Sequence, residues 1–171
     1  MKYEKINEEL ERELERIDGI VFEDDEEEES FTVIQNYVMK ITNMSSQPKL
    51  LLLTFFIYKN CKTTFISYRT LKELTGIKSA TTLGKWLKFL EWIGFLNIRR
   101  CKRSNNTILN IYSIKHARIR DLTRYLKEVN ITFKEVEDFW NKNAKTPKSA
   151  NKLLNNKQSF TETIKNILET R

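Results

Sequence analysis

The side chains best suited to chemistry here carry positive charge and hydrogen-bond donors, and they cluster between Ser67 and Arg103. Thr81, Lys85 and Lys88 recur at helical spacing, so on one helix they share a face, with Thr82 and Phe89 to one side. Lysine can donate to guanine O6 and N7, and threonine can offer its methyl to thymine or its hydroxyl to a phosphate. Arg99, Arg100, Lys102 and Arg103 crowd a second segment. Guanidinium groups there suit a sugar-phosphate backbone or a narrowed minor groove. Ser67 and Ser79 stand where helix N-terminal amides can hold phosphate. An ordinary solvated face accepts lysines and threonines equally well, so the elements that carry these residues decide their meaning.

Catalysis finds little to work with. His116 is the single histidine, set beside Lys115 and Arg118, where it reads as a phosphate contact or an exposed bystander. No Cys/His/Asp grouping has metal spacing, and the few glycines form no phosphate-cradling loop. The run of carboxylates over 23–29 lacks the turn glycine of a calcium loop. No enzyme activity, cofactor or metal is expected.

A helix must carry the first group. Ala80, Leu83, Leu87 and Leu90 fall at 3-4-3 spacing, which predicts a helix over 79–93 capped by Ser79 and ended by Gly94. With its leucines inward, Thr81, Lys85 and Lys88 point outward together. Trp92 also points outward, at the far end, and is assigned to core or dimer contact. A shorter helix precedes it, with Ser67 as N-cap, Leu71 and Leu74 on one face and Gly76 at its end. Ile77, Lys78 and Ser79 separate the two, so their apolar faces converge as a helix-turn-helix. After Phe95, a strand over 96–101 enters a polar turn at Lys102-Arg103-Ser104-Asn105-Asn106 and returns over 107–114. Tyr112 and Ile114 are read as packing residues.

This ordered set resembles the winged helix-turn-helix family of DNA-binding domains over roughly residues 50–114. The resemblance rests on Leu71-x-x-Leu74-x-Gly76-Ile77, Ser79-x-x-Thr82-Leu83, and Leu87-x-x-Leu90-Glu91-x-x-Gly94-Phe95-Leu96, followed by the hairpin. Gly84 inside the second helix, and the aromatic Trp86, Phe89 and Trp92, depart from the pattern. The resemblance implies a mainly α fold with a small β-hairpin wing and N- and C-terminal helical extensions. It implies a transcriptional regulator that docks helix 79–93 in the major groove of double-stranded DNA. The 99–107 wing would lie on the backbone or in the minor groove. A homodimer on an inverted repeat is expected, with Leu10, Leu14, Trp92 and Trp140 as the apolar candidates for dimer or partner contact. Two alternatives stand beside this reading. One is a plasmid or viral replication initiator. The other is a protein-interaction module of transcription or replication machinery, in which Phe89 and Trp92 make the contact.

Bulk properties agree with a polyanion partner. The net charge of +7 conceals a split: residues 1–30 hold four Lys/Arg and fourteen Asp/Glu, leaving 26 Lys/Arg and nine Asp/Glu for residues 31–171. Four glycines and two prolines argue against an all-β design. The one continuous apolar run, 50–58, is too short to cross a bilayer, and the acidic N-terminus lacks the apolar segment of a signal peptide. A cytoplasmic, nucleoid-associated protein without a membrane partner is expected. Cys61 and Cys101 form neither a disulfide framework nor a metal site; reduced thiols are expected, with a single bridge left open.

The flanks divide the chain. Residues 1–30 read as an acidic N-terminal helix and linker. Tyr3, Ile6, Leu10, Leu14 and Ile17 stripe a helix over 3–17, and the acidic run over 23–29 is either a solvated spacer or a phosphate mimic competing for the basic face. Residues 31–116 form the winged domain. It opens with a helix through Phe31, Ile34, Val38 and Ile41 (or a strand, given its β-branching), followed by a buried central helix from Ser46 and Pro48 through Tyr58. A short strand over 63–66 can pair with the hairpin. Residues 117–143 form a helical extension packed on the domain or dimerising it, with a capping box at Thr132 and Glu135. Residues 144–171 read as a basic linker to 158 and a C-terminal helix opened by Ser159 and Glu162.

Overall fold

The apolar periodicities become helices that pack around a short antiparallel hairpin. The computed structural model describes residues 4–5, 38, 40–58, 66–102, 105, 108–156 and 159–169. Helix α1 (Ser46–Ile57) takes Pro48 in its first turn, where the missing N–H costs nothing. Leu51, Leu52 and Phe55 of α1 are fully buried. Its apolar composition predicts burial on all sides, but Leu50 stays 42% exposed and Ile57 52%. Its N-terminus is held by a distant residue. Glu137 accepts hydrogen bonds from the Ser45 backbone N–H at 2.7 Å and from the Ser45 hydroxyl. A carboxylate there complements the helix dipole, and the buried Glu137 gains hydrogen-bond partners.

Helix α2 (Tyr68–Thr75) ends at Gly76, whose φ of 68° is the left-handed cap that glycine adopts without strain. Helix α3 (Ala80–Trp92) follows and buries Leu83, Leu87 and Leu90. Strands β2 (Leu96–Lys102) and β3 (Ile108–Ile114) pair antiparallel, in register from Leu96 opposite Ile114 to Lys102 opposite Ile108. Tyr112 of β3 packs on Phe55 of α1, with ring centroids 4.7 Å apart. The core therefore lies between α1, α3 and one face of the hairpin.

The third strand has an unexpected source. Strand β1 (Glu4–Lys5) pairs parallel with Cys101 and Lys102 on the outer edge of β2, where backbone groups would otherwise lack partners. The helix expected over 3–17 therefore does not include Glu4 and Lys5. Ile66 is buried but forms no strand. The remaining expectations for 6–17 (with Leu10 and Leu14), 23–29, 31–37 and 63–65 lie outside the described residues, as does Cys61. Cys101 is a buried thiol.

Beyond the hairpin, helix α4 (His116–Glu128) buries Ile119, Leu122 and Leu126. Helix α5 (Phe133–Asn143) opens with the Thr132/Glu135 capping box that the sequence predicts. The stretch after it is not a linker. Helix α6 (Pro147–Asn155) starts at a second capping box, Thr146 with Ser149, and has Pro147 in its first turn. It packs against α3, burying Ala150 and partly burying Leu153 and Leu154. Helix α7 (Ser159–Glu169) closes the chain. No helix among the described residues is long and apolar enough to cross a membrane.

Candidate nucleic-acid interface

Local chemistry fixes the two helices and the turn between them. The Ser67 side chain accepts from the Thr70 amide at 3.1 Å, and the Ser79 side chain from the Thr82 amide at 3.3 Å. Both serines are exposed and act as N-caps, their hydroxyls engaged by their own helices. The Thr75 hydroxyl donates to the Leu71 carbonyl and accepts from the Ile77 amide, which stiffens the turn. At the far end of α3, the Gly94 amide donates to Glu91 and the Phe95 amide to Leu90, at 3.0 and 2.9 Å. With Gly94 at φ 82°, this is a Schellman stop that turns the chain straight into β2. Arg118 closes it by donating to the Ile93 carbonyl at 3.2 Å while lying over the Phe160 ring.

The side of α3 that borders α6 carries the residues singled out above. Thr81 is exposed, whereas Thr82, Lys85 and Lys88 are half-buried. Thr81, Lys85 and Lys88 line one groove of about 360 Å³, with Gly84 between them. Tyr68, at the start of α2, forms one wall; Lys145, Thr146 and Pro147 form the other. A Cβ placed at Gly84 would lie 3.6 Å from the Tyr68 hydroxyl, so the glycine thins α3 where Tyr68 crosses it.

Charge is organised around Arg100. Along β2, Arg100 shares the helix-facing side with Leu96 and Ile98, and it is half-buried. It lies close enough to Lys88 and Glu91 to act on both. Burial, then the nearby guanidinium, holds the Lys88 ammonium below its usual range. Burial raises the Glu91 carboxyl, although Arg100, a hydrogen bond from the Ile98 backbone and Lys88 pull the other way. Burial also raises the Tyr68 hydroxyl. Arg99 and Lys102 are the exposed cations on β2, and Arg103 lies outside the described residues.

Two site expectations need correction, and a third resolves to one of its two readings. Phe89 is fully buried, packed against Trp86 and Trp140 with ring centroids 5.7 and 5.9 Å away, so it cannot meet a nucleic acid. Trp140, expected as a dimer or partner contact, is 0% exposed, and Trp92, expected in the core or at a dimer contact, is 8% exposed and packs on it in the core. Phe139 of α5 stacks on Trp92 at 6.1 Å, and Phe160 of α7 meets it edge-on at 5.2 Å. The aromatic side of α3 is thus clad by the C-terminal helices. The Trp86 indole donates to Gln47 at 2.7 Å, tying α3 to the first turn of α1. His116 meets the Phe56 ring edge-on at 5.3 Å.

No family model, curated protein or solved structure matches this chain.

Two residues of the groove escape a reading of the sequence. Tyr68 reaches α3 only through the crossing of two helices. Lys145 reaches it only because α6 folds back, and Thr146-Pro147, a start signal for that helix, was the available clue. Among the described residues, no three His, Cys, Asp or Glu side chains are placed to hold a metal ion.

Proposed function

We propose that the protein binds double-stranded DNA as a winged helix-turn-helix, with α3 as the recognition helix, and regulates transcription by occupying its site. One observation carries this reading. Thr81, Lys85 and Lys88 share the side of α3 that borders an open groove, while its leucine and aromatic sides are buried in the chain. That side includes the first turns of the helix, the part that such helices present to base edges. Arg99 and Lys102 supply exposed charge on the hairpin, and Lys145 supplies it on the opposite rim of the groove. A homodimer on an inverted repeat, with half-sites about one or two helical turns apart, fits this mode.

The interaction-module reading needs Phe89 and Trp92 at the surface, and both are buried. The test of DNA binding is fluorescence anisotropy of the full chain against random-sequence duplexes over a series of salt concentrations. Binding should weaken log-linearly with salt, by a slope of about 0.9 per phosphate neutralised. Absence of binding at low salt would reject the proposal.

A further inference from the structure

A second concave site lies away from the α3 groove and shares no lining residue with it. It is a cleft of about 630 Å³ between α4, the start of α5 and the segment before α1. That volume falls within the roughly 300–1,000 Å³ that small-ligand sites occupy.

Its walls are strongly one-signed. Arg120, Arg124 and Lys127 follow one another at i, i+4 and i+7 on α4, which places them on one face over two turns. Lys40 faces the same cleft from the other side of the sequence. No Asp or Glu lines the cleft among the described residues. Arg120 pairs with its exposed neighbour Asp121 at 3.0 Å; an exposed pair of this kind holds an arginine only weakly. Like charges brought together without acids repel, so a folded chain gains from an anion that neutralises them.

The floor of the cleft is apolar. Leu126, Ile131 and Phe133 line it and are otherwise buried. Its shape is held by the end of α4, where Asn130 adopts φ 55°, its amide donates to Lys127 and the Ile131 amide donates to Leu126 at 2.8 Å. A cationic rim above an apolar floor suits a compact ligand with a charged end and an organic body. Guanidinium forks match phosphate oxygens in pairs, which favours a phosphoryl group at the charged end.

We infer that this cleft binds a small organophosphate, through Arg124, Lys127 and Lys40 at the phosphoryl group and the Leu126/Phe133 floor beneath its organic part. This claim is independent of DNA binding by α3.

The test titrates the full chain with AMP, and with adenosine as the uncharged control, by calorimetry at low salt. AMP should saturate a single site with Kd below about 1 mM, and adenosine should give no saturable heat. R124Q/K127Q should weaken AMP binding by about tenfold or more, as loss of charge-assisted hydrogen bonds requires, while K85Q/K88Q should leave it unchanged. Circular dichroism of each variant checks that the fold is kept. Absence of saturable AMP binding, or equal loss in both double variants, overturns the inference. So does a third outcome, in which R124Q/K127Q leaves AMP heats unaltered but lowers the salt slope of duplex binding by about two, since the cleft would then serve the duplex.

Discussion

Trp92 of α3 and Trp140 of α5 lie with ring centroids 5.2 Å apart and an interplanar angle of 32°. The pair joins the proposed recognition helix to the C-terminal extension, and Phe89, Phe139 and Phe160 complete the cluster. The extension is therefore the surface against which α3 is set, which makes the orientation of its basic side depend on residues nearly fifty positions downstream.

Replacing Trp92 by alanine should consequently cost about 3–5 kcal/mol of stability, the range for truncating a large buried aromatic. Urea unfolding measures the loss. Sedimentation at matched concentration gives the second reading: a core residue leaves the mass of the folded species unchanged, whereas a dimer contact would lower it.

Glu91 gives a pH dependence of known sign. Its carboxyl is raised in the fold, chiefly by burial, so the folded chain holds the proton more tightly than the unfolded chain. That contribution to stability is present below the unfolded carboxylate range and is lost as pH rises through the folded value. Glu91→Gln should therefore gain on the natural chain as pH rises from about 4 to 7. Urea midpoints of the two proteins across that range check it; a gap that narrows with rising pH would show that Arg100 and the Ile98 amide outweigh burial.

Two glycines separate conformation from space. Gly84 lies within α3, and a methyl there meets the Tyr68 hydroxyl at an ordinary 3.6 Å. Gly84→Ala should stabilise the protein by about 0.5–1 kcal/mol through helix propensity alone. Gly94 sits at φ 82°, with Arg118 atoms 3.2 Å from the position of a Cβ. Gly94→Ala should destabilise by more than about 1 kcal/mol, because the left-handed Schellman position and the Arg118 cap are both disturbed. Thermal unfolding of the two variants should move in opposite directions.

What was legible in the sequence is what local chemistry writes. Ser67, Gly76, Ser79 and Gly94 bound their helices where their side chains or backbone freedom require it, and Leu83, Leu87 and Leu90 point inward as their spacing dictates. What escaped depends on distant partners. A helical wheel sets Phe89 to one side of α3, but it cannot show that Trp140 will cover that side. Nothing around Glu4 and Lys5 announces pairing with Cys101 and Lys102, since a two-residue strand draws its stability from its neighbour. Helix α6 lies between these cases. Thr146-Pro147 marks its start, while the polar, lysine-rich composition around it reads as a linker.

The central claim is that the Thr81/Lys85/Lys88 side of α3 meets DNA. The most direct measurement compares duplex affinity of the natural chain, K85E/K88E, and K165E as a control for charge reversal away from α3, on the exposed face of α7. K85E/K88E should lose about tenfold or more in affinity and about two units of salt slope, with K165E close to the natural chain. Unchanged affinity and slope in K85E/K88E, or an equal loss in K165E, would contradict the account.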